Sequence, residues 1–151
     1  MSILSNDERF KTLFKFASLI TVCDYLRPYP NGTEMEDTFD LVVFGATGFT
    51  GRLVAEYLSQ NQGISHDLNW AIAGRDINKL DSIKNKMDIP SSIPALRTDI
   101  NDMDSVRDLV KKTRVLLTTV GPYQIYGNEI IECCIDEGVD YLDLHRHIRQ
   151  S

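Results

Sequence analysis

Residues 41–51 read Leu41-Val42-Val43-Phe44-Gly45-Ala46-Thr47-Gly48-Phe49-Thr50-Gly51. The first four residues are a continuous apolar run, which is typical of a parallel strand covered on both faces. The next seven have the glycine spacing G-x-x-G-x-x-G, and an apolar stripe at helical spacing follows over residues 53–58. This stretch therefore predicts a strand, a tight glycine-rich turn and a helix that begins directly after Gly51.

The three glycines of this turn have different predicted roles. Gly45 permits the tight turn, Gly48 lets a pyrophosphate approach the backbone, and Gly51 lets the helix pack closely on the strand. The helix N-terminus adds free N–H groups and the positive end of the helix dipole. A purely structural glycine turn is the alternative. The predicted cofactor-binding residues of this loop are Gly45, Ala46, Thr47, Gly48, Phe49, Thr50 and Gly51.

Strand and helix patterns alternate along residues 39–144. Strands that alternate with helices are typical of a parallel sheet with right-handed crossovers. The pattern predicts an α/β fold, a Rossmann-type doubly wound parallel sheet of about five strands in the order 3-2-1-4-5. Beyond the first strand, the predicted strands lie at residues 70–73, 95–98, 115–120 and 141–144.

The residue at the end of the second strand bears on the identity of the dinucleotide. A site that prefers NAD places a carboxylate there for the ribose 2′-hydroxyl, whereas this sequence has Arg75. A guanidinium can form paired hydrogen bonds with a 2′-phosphate, which favours NADP(H) over NAD(H). The alternative is that Arg75 is only solvated while Asp76 binds the ribose, although Asp76 also suits the N-cap of the second helix.

Two further loops follow strand ends. Asp99 is predicted near the adenine, or as a turn residue. Gly121, Pro122 and Tyr123 follow the fourth strand and are predicted to border the nicotinamide. Tyr123 and Tyr126 are candidate catalytic residues that could donate a proton, with packing as the alternative.

The fourth helix carries two adjacent cysteines. Cys133 and Cys134 cannot face each other on a helix, so small core residues are a better interpretation than a redox pair. Gly138 suits the C-cap of this helix. Its predicted apolar stripe contains Ile130, Ile131, Cys134 and Ile135.

Composition excludes several classes of protein. The chain has 151 residues with 42% hydrophobic, which suits one globular domain. Sixteen Lys plus Arg against 22 Asp plus Glu give a charge of −6, which argues against a nucleic-acid partner. No apolar stretch is long enough to span a bilayer. Three cysteines do not make a disulfide framework, which favours a reducing compartment and the cytoplasm by default.

The two ends differ in composition from residues 39–144. Residues 1–38 are predicted to be an N-terminal extension and linker, with an amphipathic helix over residues 10–20. Residues 145–151 form a divergent C-terminal tail, in which His145 and His147 lack further ligands, so no metal site is predicted.

Residues 39–144 as a whole resemble the N-terminal NAD(P)-binding domain of the saccharopine dehydrogenase-like oxidoreductases. The resemblance implies hydride transfer with NAD(P) on a small-molecule substrate that it does not define, and a fold shared with saccharopine reductases and with enoyl reductases of lipid metabolism. Lipid-droplet, membrane-associated or mitochondrial locations and a homodimer of full-length relatives are also implied. The matching segments are Asp40 to Gly51, Ala71 to Arg75, Val120 to Tyr123 with Tyr126-Gly127, and Asp140 to Asp143.

The tail departs from this family. The family continues with Thr-Gly-Glu and a long substrate-binding region, whereas the chain reads His145-Arg146-His147 and soon ends, as expected of a truncated form. Positioning of a substrate would then be lacking. The alternative function is a regulatory or redox-sensor module that binds NADP without catalysis and resembles the NmrA-like proteins. A short-chain dehydrogenase is disfavoured because no tyrosine has a lysine four residues later.

Overall fold

The structure is a computed structural model that describes residues 38–60, 68–120 and 123–143, with the side chains of residues 123–126 excluded. The predictions for residues 1–37 and for the tail with His145 and His147 lie outside the described residues. The same holds for Gly121 and Pro122.

Strands and helices alternate through the described chain, as the sequence pattern predicts. None of the described helices is long and apolar enough to cross a membrane. In chain order the elements are β1 (Phe39–Phe44), α1 (Phe49–Gln60), β2 (Trp70–Gly74), α2 (Ile77–Lys86), β3 (Ala95–Arg97), α3 (Met103–Val110), β4 (Thr113–Thr118), α4 (Tyr123–Glu137) and β5 (Asp140–Asp143).

The five strands form one parallel sheet in the order β3-β2-β1-β4-β5, which confirms the predicted topology. In the register of the central strands, Phe44 pairs with Ala73 on one side and with Thr118 on the other. The carboxyl ends of β2, β1 and β4 therefore meet at the same edge of the sheet, where ligands of open α/β sheets bind.

Helices cover both faces of the sheet. Leu41 and Val43 pack in a cluster with residues of α1 and α2, whereas Val42 and Phe44 pack in a second cluster with residues of α3 and α4. Because successive residues of a strand point to opposite faces, a strand covered in this way is apolar at every position. The continuous apolar run of β1 thus follows from its place at the centre of a doubly wound sheet.

Several element boundaries differ from the sequence prediction by one or two residues, and two of them lie beside the glycine loop. Helix α1 begins at Phe49, so Gly51 lies in its first turn rather than before it. Strand β4 ends at Thr118, two residues earlier than predicted, so Thr119 and Val120 belong to the loop that follows. The side chains of Thr119 and Val120 are β-branched and suit a strand. However, Phe44 is the last residue of β1 and pairs with Thr118, so β1 offers no further strand residue beside Thr119 and Val120.

The buried stripe of α4 is also different from the prediction. Ile135 was expected in the core but is 72% exposed, whereas Cys133 is buried together with Cys134. Positions 130, 133 and 134 follow the i, i+3, i+4 spacing of a single helix face, which leaves position 135 on the solvent side. Both cysteines are thus small core residues, as predicted.

Side chains and glycine cap the helices where the sequence indicates. The Asp76 carboxylate accepts hydrogen bonds from the N–H groups of Asn78 and Lys79 at the start of α2. Gly138 has a φ of 67°, and Val139 N–H donates to the Cys134 carbonyl at 2.8 Å. This is the left-handed C-cap with a six-to-one bond that favours glycine.

Candidate dinucleotide-binding site

An open cleft of about 310 Å³ lies at the carboxyl edge of the sheet. Its volume falls at the lower end of the range of small-molecule sites, about 300 to 1,000 Å³. Arg75 is the one charged residue among those that line it within the described chain. The lining residues are Phe44, Gly45, Thr47, Gly48, Gly74, Arg75, Thr98, Ile100, Thr119 and Val120.

Gly45 makes the turn from β1 into the loop. Its φ is 93°, and its N–H donates to the Ala73 carbonyl of β2 at 2.9 Å. A Cβ at this position would lie 2.8 Å from Thr119 Oγ1 and 2.9 Å from Val120 Cγ2. Both the backbone conformation and the space around it therefore require glycine.

Gly51 lies in the first turn of α1, directly against the loop. A Cβ there would collide with the carbonyl oxygen of Gly45 and would lie 2.7 Å from the Cα of Ala46. The glycine therefore allows the helix to pack on the loop backbone, which is the close helix–strand approach that the sequence predicts.

Gly48 is under no such constraint from the protein. It is exposed, its φ is not positive, and the atom nearest to a Cβ built on it is the Gly45 carbonyl oxygen at 3.5 Å, an ordinary contact. The chain itself would accept a side chain here. Since a Cβ would protrude beside the cleft, glycine at this position fits the close approach of a diphosphate to the backbone.

Helix α1 begins without a capping side chain. Aspartates occupy the N-caps of α2 and α3, where Asp76 and Asp102 accept hydrogen bonds from the first N–H groups. In α1 the residue before the helix is Gly48, and the first turn carries no acidic residue. The first bond back to the loop is from the Arg52 N–H to the Gly48 carbonyl. The N–H groups of residues 49–51 come before this bond and therefore have no carbonyl partner within the helix.

Arg75 is exposed directly after β2 and lines the cleft. Within the described chain no hydrogen bond or ion pair engages its guanidinium. The next residue, Asp76, has its Oδ1 atom 3.0 Å from Asn78 N and 3.2 Å from Lys79 N. The cation is therefore available for an external anion, while the neighbouring carboxylate is used as a helix cap.

Asp99 forms a turn rather than lining the cleft. Its Oδ1 atom accepts hydrogen bonds from the N–H of Asn101 at 3.0 Å and from the Asn101 side chain at 3.3 Å. Its neighbours Thr98 and Ile100 are lining residues. The contacts show the turn role, and the predicted role near an adenine stays a prediction.

The other predicted residues are distributed as follows. Ala46 is buried in the core, and Phe49 is 67% exposed at the start of α1. Thr50 is half-buried in the first turn of the same helix. Gly121 and Pro122 lie outside the described residues, and Tyr123 and Tyr126 belong to α4 with side chains outside that description.

Six lining residues were not predicted from the sequence. Phe44 and Gly74 are the last residues of β1 and β2, and the other four lie beyond β3 and β4. Thr98 and Ile100 follow β3, and Thr119 and Val120 follow β4. The available signal is their position, since residues just beyond the carboxyl ends of parallel strands border the ligand crevice. Thr119 and Val120 were missed because the predicted fourth strand extended to residue 120, which assigned both residues to the strand.

We also searched the described residues for clustered metal ligands and for a reactive thiol. Within residues 38–60, 68–120 and 123–143 there is no group of three or more His, Cys, Asp or Glu that could hold a metal ion. Burial, with a smaller contribution from the charge of Cys133, raises the pKa of the Cys134 thiol to about 12. That thiol is therefore a poor nucleophile at neutral pH.

Taken together, the parallel 3-2-1-4-5 sheet and the glycine loop beside an uncapped helix define a Rossmann-type dinucleotide-binding domain. Residues 41–150 match the family model described as the saccharopine dehydrogenase NADP binding domain. The chain belongs to this family, which confirms the resemblance seen in the sequence.

Individual proteins agree with this assignment. The chain is 35% identical over 116 residues to a rat saccharopine dehydrogenase-like oxidoreductase, a match that covers 70% of this chain and 27% of the rat protein. It is 37% identical over 116 residues to an Arabidopsis thaliana protein, covering 72% of this chain and 26% of that protein, which is named "Probable mitochondrial saccharopine dehydrogenase-like oxidoreductase". The chain thus spans about a quarter of the length of these relatives.

A solved structure shows the same fold. Saccharopine dehydrogenase (L-Glu forming) from Saccharomyces cerevisiae superposes with a TM-score of 0.58 at 16% sequence identity, over 74% of this chain and 22% of that one.

Proposed function

We propose that the domain binds NADP(H) and provides the cofactor half of an oxidoreductase that transfers a hydride to or from a small molecule. The observation that carries the proposal is the start of α1, where Gly48 takes the place of a capping side chain at the edge of the cleft. Free N–H groups and the helix dipole favour an anion there.

The diphosphate is placed at this helix start. Its oxygens accept hydrogen bonds from the N–H groups of residues 49–51, and the missing Cβ of Gly48 allows the approach. No acidic residue in the first turn of α1 repels the phosphates. Gly45 and Gly51 support this arrangement indirectly, because they fix the turn and the position of the helix.

The 2′-phosphate is placed at Arg75. No residue of the described chain engages the Arg75 guanidinium, so that it can bind a phosphate through two parallel hydrogen bonds. Asp76 does not compete for this position in our proposal, because its carboxylate caps α2. This arrangement supports NADP(H) as the preferred cofactor over NAD(H).

The lining of the cleft supports a proposal for the two ends of the cofactor. We place the adenosine beside Thr98 and Ile100 and the nicotinamide beside Thr119 and Val120. The predictions that Asp99 lies near the adenine and that Gly121, Pro122 and Tyr123 border the nicotinamide are part of this proposal. When bound, the nicotinamide supplies or accepts the hydride. Tyr123 and Tyr126 are proposed as candidates for holding a proton next to it.

This chain spans about a quarter of the length of its relatives. We propose that the rest of a full-length relative binds and positions the substrate. Location is proposed as the cytoplasm or, by analogy with the name of the Arabidopsis relative, the mitochondrion. The membrane, lipid-droplet, homodimer and truncation predictions stay predictions.

The proposed cofactor preference is tested by fluorescence titration with NADPH and NADH. Replacing Arg75→Ala removes a charge-assisted hydrogen-bond pair of about 1.5–3 kcal/mol, so NADPH binding should weaken by about 10- to 100-fold while NADH binding changes little. Arg97→Ala is the matched control, because Arg97 is exposed on the neighbouring strand and does not line the cleft. A variant at Arg75 that keeps the wild-type preference would contradict the assignment.

A further inference from the structure

Thr119 connects the end of β4 to the turn that follows β1. Its N–H donates to the Phe44 carbonyl at 2.8 Å. Its hydroxyl lies 3.1 Å from the carbonyl oxygens of both Phe44 and Gly45, so that one O–H proton is shared between them. The side chain therefore links the two loops that border the cleft on either side.

The Gly45 carbonyl is central to the glycine loop. It accepts the Gly48 N–H at 3.1 Å, which closes the turn. The same oxygen is the atom against which Gly51 packs, so it also determines how closely α1 approaches. Any shift of this carbonyl would move Gly48 and the first N–H groups of α1 together.

We propose that Thr119 is a positioning residue for the diphosphate, a role that rests on the proposed function. Its hydroxyl fixes the Gly45 carbonyl, and through it the position of Gly48 and of the first N–H groups of α1 at the edge of the cleft. When the hydroxyl is lost, each carbonyl still accepts one backbone hydrogen bond. The Phe44 carbonyl accepts from the Thr119 N–H, and the Gly45 carbonyl accepts from the Gly48 N–H. The loss thus changes loop geometry without leaving an unpaired buried acceptor.

The test compares Thr119→Val, which keeps the shape but removes the hydroxyl, with Thr119→Ser, which keeps the hydroxyl. Thr113→Val is the matched control, because the Thr113 hydroxyl donates to the Val115 carbonyl at 2.8 Å at the opposite end of β4. Calorimetric titrations use NADPH, ADP-ribose, which has the diphosphate but no nicotinamide, and 2′-AMP, which has no diphosphate. Unfolding in urea measures stability for every variant.

Thr119→Val should weaken NADPH and ADP-ribose binding about fivefold, the value of one ordinary hydrogen bond, and leave 2′-AMP binding unchanged. Thr119→Ser should restore the affinity. Thr113→Val should lower stability as much as Thr119→Val does but leave all three affinities at wild-type values. If Thr119→Val does not fold, Thr119→Ala against Thr119→Ser gives the same comparison.

Three results would overturn the proposal. These are wild-type affinities in Thr119→Val, equal losses in Thr119→Ser and Thr119→Val, or a loss for NADPH that spares ADP-ribose, which would indicate direct contact with the nicotinamide. A wild-type chain that is folded and binds none of the probes would instead refute the proposed function, and this inference with it.

Discussion

Gly45, Gly48 and Gly51 are identical residues under different constraints. Gly45 is required by a φ of 93°, and Gly51 by the loop backbone against which it packs. Neither constraint applies to Gly48, which could carry a methyl group without a clash inside the protein. Gly45 and Gly51 thus maintain the fold of the loop, whereas glycine at position 48 fits the diphosphate that we propose as the ligand of the loop.

This difference can be measured in the stability of alanine variants. Gly51→Ala should lower the free energy of unfolding by more than about 2 kcal/mol, because its Cβ forces the helix away from the loop. Gly48→Ala, the matched control, should change it by no more than about 0.5 kcal/mol. Urea denaturation of both variants checks this, and equal losses would contradict the different roles assigned here.

At the residue scale, the sequence predicts what depends on local geometry. The three glycine roles and the Asp76 cap follow from spacing within a few residues. Thr119 could not be found in this way, since its hydroxyl bonds reach residues 74 and 75 positions away in sequence. Such contacts exist only after the sheet has formed.

Helix ends show how single residues determine an element. Helix α2 begins at an aspartate cap and is followed by Asp88, whose φ is 51°. The Ile89 N–H donates to the Lys84 carbonyl at 2.9 Å across this residue. A left-handed residue in this position is normally glycine, so Asp88 carries a conformational cost.

Replacing Asp88→Gly should relieve that cost and raise the free energy of unfolding by about 0.5–1 kcal/mol. Asp88→Ala should give no gain, because alanine has the same Cβ restriction and lacks the short polar side chain that tolerates this conformation. Thermal or urea unfolding distinguishes them. A glycine variant no more stable than the alanine variant would contradict this reading of the turn.

In α4 the buried thiol of Cys134 makes stability depend on pH. Its pKa is raised to about 12 in the folded state from an ordinary value of 9.0. As the pH rises from 9.0 toward about 12, the unfolded chain loses this proton while the folded chain keeps it, so stability falls. Below 9.0 the contribution is fully present.

Cys134→Ala should therefore flatten the alkaline part of the stability curve. The slope of the unfolding free energy against pH should become less negative by up to about 1.4 kcal/mol per pH unit in this window. Urea denaturation of the wild type and of Cys134→Ala between pH 7 and about 12 measures this slope. The difference in unfolding free energy between the two proteins at neutral pH gives the effect of lost packing, which is subtracted. Parallel curves above pH 9.0 would show that the thiol ionises freely in the folded state.

At the scale of the whole molecule, the topology was predictable because burial on both faces leaves a strong pattern. The inner strands β1, β2 and β4 are buried over most of their length, and each contains a continuous apolar run. The exposed Ile135 was not predictable, because α4 has more apolar residues than its buried face can hold.

The cleft was predictable only in part for a related reason. It combines the glycine loop, which has a local motif, with residues beyond the ends of β3 and β4 that have none. The parallel sheet brings these strand ends to one edge, and the exact point where each strand stops decides which side chains face the ligand. The strand order thus predicts the place of the site, but not the identity of all its residues.

The function that we propose requires the loop between β1 and α1 to bind the diphosphate of a nicotinamide dinucleotide. The most direct measurement is calorimetric titration of NADPH into the wild-type chain and into Gly48→Val, with the unfolding free energy of both determined in the same buffer. We expect saturable heat for the wild type and none for a folded Gly48→Val. Wild-type affinity in the folded variant, or no heat from the folded wild-type chain, would contradict it.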